Sequence, residues 1–559
     1  MGNTLNYVNY DFDDNMQQLI DRLKAASGAW KDTNRSGTGQ MLIELFAYIA
    51  NQVLYYIERR AEESYLPTAK LRSSVINLVR LLNYIPRRQT SAIGILTFTL
   101  SSPATKNIYL PQWLECQTAA GIKYLVSEDA VILTGESSKN ANAMQGEKVD
   151  IEITADGTLG YEYNINDINV ENTALYIYVD GGLWTKVSSF LGAEPIDKYY
   201  LIKTELDDTV TIVFGDNIKG KAPDAGSIIL IRYVKSDGIN GNVYLPGKII
   251  TIIDNIYDED GGVVSGITVT NADTFLGGDS AQDIEDIRTL APAVFSTGSR
   301  AVTKADYISI LKNYPGVADA NVWGEAEETP PDITLFNVVR LVILLQEWAL
   351  PGSTFKTALT TYLYDYAQIT VKYEFIDAEI LNVIPTLDIV TVEGSTLAVV
   401  QDRVETALTA QFVLGTTAKL GISKYLSDLM YVVDDCEGVS YHHMILEIYK
   451  ALGTGYDSFY DFGILLEAVP ILAGSVRVFV NDVQVAIDDG AGHFTDMSSS
   501  LAVSGEVNYV TGYIGIDVVP ALGPSDVVSV RYQMDEDGDI IVTKKQVTKL
   551  YDVDVTSIS

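Results

Sequence analysis

The spacing of the hydrophobic residues changes near residue 91, and this change restricts the chain to a fold with a helical beginning and a β-rich continuation. Between Met41 and Ile57, apolar residues recur three or four positions apart, which is the period of one face of an α-helix. From Gly94 onward, in "GILTFTL", apolar and polar residues alternate, as in a strand with one buried side. The sequence therefore predicts an α+β, multidomain protein.

The same shifts in pattern predict five regions along the chain. They are an N-terminal helical bundle segment over 1–90, a β-rich domain over 91–255, a linker and helical α+β segment over 256–330, an α+β domain over 331–470 that is a candidate dimerisation region, and a C-terminal β-sandwich or barrel with a short extension over 471–559. We expect the mixed α/β regions to be built from helix-turn-strand units.

The N-terminal region contains two predicted helices. The apolar stripe of the first is formed by Leu42, Leu45, Ile49, Val53 and Tyr56, with Phe46 and Ile57 beside it. The second is predicted to begin at Pro67 and to end before Pro86. Two interpretations stay open, because such a stripe fits an ordinary domain core and also resembles a coiled-coil seam shared with a neighbouring chain.

Local signals place further helices and turns. Ser280 with Asp283, and Thr303 with Asp306, have capping-box spacing and predict two helix starts. The acidic stretch "DNIYDEDGGVVSG" indicates a linker or a long loop. Two hairpins are predicted, one in "LYIYVDGGLWTKV" and one that joins "TVTIVF" to "SIILIRYV". A helix, a Gly-Val turn and a strand follow one another twice, at Gly316 and at Gly438.

The loop of the second predicted hairpin, "FGDNIKGKAP", contains most of a phosphate-binding loop. That loop requires Ser or Thr after its Lys, to bind Mg²⁺, and a helix whose amide groups face the phosphates. Here Ala222 and Pro223 follow Lys221, and the next apolar run has the alternation of a strand. The pattern therefore favours a turn between strands over a nucleotide site.

Composition restricts the partners and the compartment. The formal net charge is −35, so we expect neither nucleic-acid binding nor membrane insertion, because an acidic surface repels phosphate groups. The 34 Tyr fit either contact surfaces or β-rich domains. With two Cys, no disulfide framework is expected. The N-terminus has no pattern of a secretory signal, and the apolar window at Met41 carries polar residues that a membrane span would lack.

Candidate catalytic and metal-binding residues are few. The chain has 3 His, and His442 and His443 are adjacent, so on a strand they would face opposite sides. Cys436 has acidic neighbours, which would raise a thiol pKa and disfavour a nucleophile. The acidic runs at Asp258 and Asp535 could hold Ca²⁺, but such turns are also the expected background of an acidic chain. We predict no catalytic residue, no cofactor and no specific metal.

Four segments, taken in order, resemble the baseplate J-like family of contractile-tailed bacteriophages and related injection systems. The first is the helical run that ends in "LVRLLNYIPRR", and the second is "FGDNIKGKAPDAGSIILIRYVKSDGINGNV". The third joins "GGDSAQDIEDIRTLAP" to "SRAVTKADYISILKNYPGVADANV", and the fourth is "LGISKYLSDLMYVVDDCEGVSY". Together they cover roughly residues 40–450. The resemblance departs at "LPQWLECQT" and does not include the chain after residue 470.

This resemblance implies an architectural role. Gly215, Gly220, Pro223 and Gly226 match structural turn residues of the family. Members resemble the larger wedge subunit, which pairs with itself and with a smaller wedge subunit, and which meets hub or sheath-initiating proteins and tail fibre proteins. Leu42, Leu45, Ile49, Val53 and Tyr56 are then candidates for a partner interface. The implied location is the tail baseplate of a virion, assembled in the host bacterial cytoplasm.

Two other functions stay open at this stage. In the first, the C-terminal hairpins form a domain that binds a fibre or a carbohydrate. The second is a carboxylate-based hydrolase, because a pair of catalytic carboxylates comes together only in the folded chain.

Overall fold

The computed structural model describes residues 12–26, 37–328, 330–454, 461–466, 469–498, 501–519, 522, 526–534 and 538–557. The chain divides into two compact units, Met1–Ala301 and Val302–Ser559. Helices come first, and strands make up most of the remaining chain. The predicted α+β, multidomain class is confirmed at this level, and the division into five regions stays a prediction.

The first unit contains the helices α1 Phe12–Ala26, α2 Thr38–Glu62, α3 Arg72–Arg80 and α4 Ile284–Ser296. Its strands are β1 Ile93–Leu100, β2 Ile108–Leu110, β3 Glu115–Thr118, β4 Lys123–Val126, β5 Ala130–Ile132, β6 Ser138–Gln145, β7 Glu147–Thr154, β8 Glu162–Ile165, β9 Val170–Val179, β10 Gly182–Leu183, β11 Thr185–Val187, β12 Tyr199–Thr204, β13 Val210–Phe214, β14 Ile228–Lys235, β15 Ile249–Ile252, β16 Tyr257–Asp258 and β17 Ile267–Asn271.

The strands of the first unit build two large buried cores. A six-stranded sheet, β15-β3-β4-β6-β1-β17, covers a core that includes Phe98, Tyr124 and Phe275. Two four-stranded sheets, β10-β9-β14-β7 and β11-β12-β13-β8, enclose a second core that includes Ile231 and Phe214. The alternating apolar residues of the sequence thus face these cores, as a sandwich requires.

The starts of two helices differ from the sequence prediction. The second helix of the N-terminal region begins at Arg72 and not at Pro67, because residues 63–68 form turns and a bend. The Glu63 carboxylate accepts the backbone N–H groups of Lys70 and Leu71, just before the helix. The helix predicted from Ser280 is capped by Asp283, whose side chain accepts the N–H of Asp286.

The acidic stretch after Asp254, predicted to be a linker or a long loop, is mostly loop with one short strand inside it. It contains β16, which pairs with β2 in the three-stranded sheet β16-β2-β5. A tight turn comes next, in which the Asp258 carboxylate accepts the N–H groups of Asp260 and Gly262. Backbone pairing with a strand far away in sequence overrides the local composition here.

The second unit contains the helices α5 Lys304–Lys312, α6 Ser353–Tyr364, α7 Leu397–Thr409 and α8 Leu426–Asp434. Its strands are β18 Val317–Gly324, β19 Val338–Leu345, β20 Lys372–Ile376, β21 Glu379–Thr391, β22 Val439–Thr454, β23 Asp461–Leu465, β24 Arg477–Val480, β25 Val483–Asp488, β26 Phe494–Asp496, β27 Ala502–Val507, β28 Tyr513–Val519, β29 Val527–Tyr532, β30 Gln546–Leu550 and β31 Asp554–Ser557.

Two sheets and two helices of the second unit share one large core. The eight-stranded sheet runs β26-β25-β24-β29-β22-β21-β30, with β31 also paired to β21, and the sheet β23-β28-β27 has three strands. Val478 and Val530 of the first sheet, Ile516 of the second, and Val404 and Val433 of α7 and α8 belong to the same buried cluster. Strands on both sides of residue 470 therefore build one core.

The repeated helix-turn-strand order is present in the second unit. α5 precedes β18, and α8 precedes β22. Gly316 and Gly438, at the two turns, have φ angles of +77° and +101°, which glycine adopts without steric cost. The capping box of Thr303 and Asp306 at the start of α5 is confirmed, with both reciprocal hydrogen bonds present.

Candidate assembly interface

Helix α2 carries two different faces along its length. Ile43 and Ala47 are buried, at 4% and 0% exposure, and α1 packs against this helix. One turn of an α-helix takes 3.6 residues, so Leu45 and Ile49, each two residues after a buried position, face away from Ile43 and Ala47. The helix covers one side by intramolecular packing and leaves the other side to solvent.

The exposed side contains all five predicted interface residues. Their exposed fractions are 52% for Leu42, 53% for Leu45, 48% for Ile49, 50% for Val53 and 65% for Tyr56. A single exposed leucine is ordinary, but a continuous apolar strip of this length is typical of a surface that another molecule covers. We call these five residues, with Phe46 and Ile57 beside them, the α2 strip.

The exposed apolar surface of α2 includes more residues than the sequence analysis predicted. Met41, Tyr48 and Tyr55 are also more than half exposed. The side chain of Gln52 donates a hydrogen bond of 3.0 Å to the Tyr48 hydroxyl, and the rings of Tyr55 and Tyr56 meet edge to face at 5.8 Å. The sequence prediction considered only the narrow seam of a coiled coil. A prediction based on the whole apolar face of the helix would have included these residues.

The C-terminal end of α2 leads into a segment that charged contacts hold against the β region. Arg72 of α3 donates to both carboxylate oxygens of Asp208, at 2.5 and 2.9 Å, and to the Gln282 carbonyl. Arg80 donates to the Thr204 carbonyl at 2.5 Å. We call these contacts the arginine clamp.

Apolar burial also holds α3 in place. Val75 and Val79 of α3 lie in one buried cluster with Ile287 and Ala291 of α4. The carboxylate of Glu63, which accepts two N–H groups just before α3, has competing influences on its pKa. Burial raises that pKa, but hydrogen bonds from Ser74, Lys70 and Leu71 outweigh it, so the pKa of Glu63 lies below its usual value.

The predicted structural turn residues lie in the loop between β13 and β14. Gly220 and Gly226 have φ angles of +80° and +86°, and a Cβ on Gly215 would come within 2.2 Å of the Gly220 backbone. The loop therefore requires glycine at these positions. Pro223 lies in the same connection, and its role as a turn residue stays a prediction.

The amide groups of this loop are already used within the fold. The N–H of Asn217 donates to the Gly220 carbonyl, and the N–H groups of Ile218 and Lys219 donate to the Asp216 carboxylate. The N–H groups of Gly220 and Lys221 donate to carbonyls in the segment 194–197. A phosphate-binding loop needs such groups free and a helix after them, and β14 comes next instead.

The hairpin interpretation of the same stretch is wrong. β13 pairs with β12 and β8, whereas β14 pairs with β9 and β7, so the loop connects two different sheets. The other predicted hairpin is confirmed at its turn and the residues next to it, whereas Thr185–Val187 of its second run form β11 and pair with β12. β9 pairs with β10 across Asp180 and Gly181, both at positive φ, as a two-residue hairpin turn requires.

The two histidines considered for catalysis lie on β22, and Cys436 lies just before that strand. His442 is buried and His443 is exposed, so the two face opposite sides of β22 as predicted. The His442 ring contacts Asp434 at 3.0 Å. Burial and the Asp435 carboxylate raise the pKa of the Cys436 thiol, with Arg403 opposing them, and a raised pKa lowers the reactivity of a thiol.

The acidic turn at Asp258 contacts a lysine. The Lys106 ammonium lies 2.7 Å from the Asp260 carboxylate and 3.8 Å from that of Asp258. Within the described ranges, no three side chains of His, Cys, Asp or Glu come together as a metal ion would require. The other acidic run, at Asp535, lies largely outside the described residues. No helix that the structure describes is long and apolar enough to cross a membrane.

Comparison with known proteins gives matches to phage and phage-like baseplates. Residues 11–81, which include α1, α2 and α3, match the family described as bacteriophage baseplate protein, N-terminal domain. The chain is 24% identical over 322 residues to baseplate wedge protein gp6 of Enterobacteria phage T4, in a match that includes 52% of this chain. The chain spans about half of that relative, at 48% of its length.

One solved structure gives a match of low structural similarity. The baseplate of the anti-feeding prophage, solved by cryo-EM, contains a chain that is 14% identical, with a TM-score of 0.29 over 77% of this chain and 86% of that one. The family match and the match to gp6 are the findings that support the resemblance to baseplate wedge proteins. The resemblance to baseplate wedge proteins that the sequence predicts is therefore confirmed.

Proposed function

We propose that this chain is a structural, non-enzymatic subunit of a contractile tail baseplate wedge. The observation that supports it most directly is the α2 strip. It is uncovered in the single chain, and it lies within the residues that match the baseplate N-terminal domain. A baseplate subunit has to contact other subunits, and an uncovered apolar helix face provides a place for that contact.

The energetics favour covering the strip. Burying one Leu, Ile or Val side chain contributes about 1.5–3 kcal/mol relative to leaving it exposed. Leu45, Ile49 and Val53 repeat at four-residue intervals along one line of the helix, which is the spacing of side chains that pack between neighbouring helices. The α1–α2 pair thus provides a surface on which helices of other chains can complete a bundle.

The partners in this proposal are those that the family resemblance implies. A second copy of the chain and a smaller wedge subunit would share the bundle, and hub or sheath-initiating proteins and tail fibre proteins would meet other surfaces. The site of action would be the virion tail baseplate, assembled in the host bacterial cytoplasm. The net charge of −35 makes nucleic acid an unfavourable partner.

The arginine clamp suggests how such a subunit transmits movement. In a ring that changes diameter after host contact, helices held by neighbouring chains would turn together with those chains. The clamp joins α3, the next helix after α2, to the β region through Asp208 and Thr204. A rotation of the bundle would then move the β layers as a rigid body, the type of transition that packed interfaces permit.

Assembly of purified variants tests the proposal. Leu45→Glu and Ile49→Glu place charges in the strip, and we expect them to abolish self-association and ring formation with co-expressed neighbouring gene products. Light scattering and negative-stain images of the same fractions measure this. Ile369→Glu, at a fully exposed isoleucine of the second unit, is the matched control. Complete rings from the strip variants would contradict the proposal.

A further inference from the structure

The outer face of the eight-stranded sheet carries a cleft that the proposed function does not use. It has a volume of about 360 Å³, at the small end of the range for small-molecule sites. Its polar lining is Arg477, Gln484, Gln533 and Ser475, and Ile445, Leu472, Ala473 and Ile487 supply the apolar part. The side chains of Val478 and Val530, on the same strands, point into the core instead.

Arg477 is held in place by a buried acid. Its Nη2 donates to a carboxylate oxygen of Glu447, which is 1% exposed, and Thr386 lies 3.5 Å from the other oxygen. A buried ion pair loses much of its Coulombic gain to desolvation, and apolar residues of similar size would often stabilise the sheet as well. Such a pair at the edge of a cleft is therefore better explained by a binding role than by stability.

The remaining donors of Arg477 have no partner within the part of the chain that the structure describes, and the same holds for the Gln533 carboxamide. Gln484 contacts Met497 through a weak hydrogen bond to sulfur. A planar guanidinium with a free edge matches a carboxylate group. Carboxamides both donate and accept, as hydroxyl groups do.

The wall of the cleft is rigid before any ligand binds. The buried Asp488 carboxylate accepts the N–H groups of Gly474 and Val476, and Ser475 Oγ donates to the Leu472 carbonyl. These bonds fix the loop 472–476 in place. A rigid wall lowers the entropic cost of binding, because the ligand does not have to order the loop.

We propose that this cleft binds a carboxylate-bearing sugar. The acid group of a uronic acid fits Arg477, its hydroxyls fit Gln484 and Gln533, and the C–H face of its ring fits Ile445 and Ile487. A peptide is less suited, because an extended peptide binds to a free strand edge. β24 is paired on both sides, to β25 and β29, and β29 is paired to β24 and β22.

Titration of the full-length chain by calorimetry tests this, with a trisaccharide of galacturonic acid as the probe. We expect saturable binding, and we expect the neutral galactose trisaccharide to bind about tenfold or more weakly, since it loses a charge-assisted hydrogen bond. Arg477→Lys keeps the charge without the planar fork, and it is expected to weaken binding as well.

Two variants separate binding from folding. Arg477→Gln leaves Glu447 buried without its counter-ion, so Gln533→Ala is added as a variant that leaves the ion pair intact; both should weaken binding. Arg403→Gln is the matched control, because Arg403 lies on α7 in an exposed ion pair and outside the cleft lining. Absence of binding, binding by both variants as tight as that of the unaltered chain, or a peptide carboxylate binding as tightly as the sugar would overturn the proposal.

Discussion

Helices α2 and α7 have the same apolar spacing and opposite environments. Val400, Val404 and Leu408 of α7 are all 0% exposed in the large core of the second unit, whereas Leu45, Ile49 and Val53 of α2 are about half exposed. Each set repeats every four residues. The comparison shows that periodicity predicts a helix and its apolar face, but not whether the same chain covers that face.

The largest expected effect tests the α7 side of the comparison. Val404→Asp places a carboxylate in the core, where an unpaired charge is very unfavourable. We expect the free energy of unfolding to fall by about 3–5 kcal/mol, measured by chemical denaturation of the isolated chain. An unchanged transition would mean that α7 does not belong to the core.

A smaller effect is expected at α3, which charged contacts hold in addition to apolar burial. Arg72→Gln removes the bidentate contact with Asp208, and we expect a loss of about 1–3 kcal/mol, as for a hydrogen bond to a charged group. Arg403→Gln, in an exposed ion pair of α7, is the control and should change the stability by about 0.5 kcal/mol or less. Equal effects would argue against the clamp.

The Glu63 carboxylate, just before α3, gives a pH-dependent difference. The pKa of Glu63 is below its usual value in the folded chain, so its contribution is present above the unfolded pKa and is lost as pH falls through the folded value. We expect Glu63→Gln to cost about 1 kcal/mol near pH 7, because the loss of the charge weakens the hydrogen bonds from Lys70 and Leu71, and less at acid pH. A pH-independent cost, found by thermal melts between pH 3 and 7, would contradict this.

The smallest effect is expected on the α2 side. Ile49→Asp should change the stability of the isolated chain by about 0.5 kcal/mol or less, because half of this side chain is already in contact with water. The same change should have a large effect on assembly. Thermal melts of the isolated chain measure the first quantity, and a large loss there would show that intramolecular packing covers Ile49.

The features that were predictable from sequence are those that depend on near neighbours. The capping box of Thr303 and Asp306, the turn at Asp180 and Gly181, and the stripe of α2 each lie within one local pattern. The assignment of Ser280 as a cap failed because Asp283, three residues later, competes for the same role.

The rest depends on contacts between distant parts of the chain. The residues that flank β13 and β14 in the sequence do not indicate that the two strands pair in different sheets. The hairpin interpretation was therefore wrong, although it agrees with the local pattern. The contact between Arg72 and Asp208 joins residues 136 positions apart. The pair of Arg477 and Glu447 likewise needs two strands to meet, so the cleft has no local signal in the sequence.

The uncovered strip on α2 has a consequence for the chain before it finds its partners. An apolar helix face in water also attracts wrong partners, including other copies in the wrong geometry and partly folded chains. The net charge of −35 opposes this, because like-charged copies repel one another in solution. Salt screens that repulsion over about 8–10 Å at ordinary ionic strength, so concentrated salt should favour premature aggregation of the free subunit.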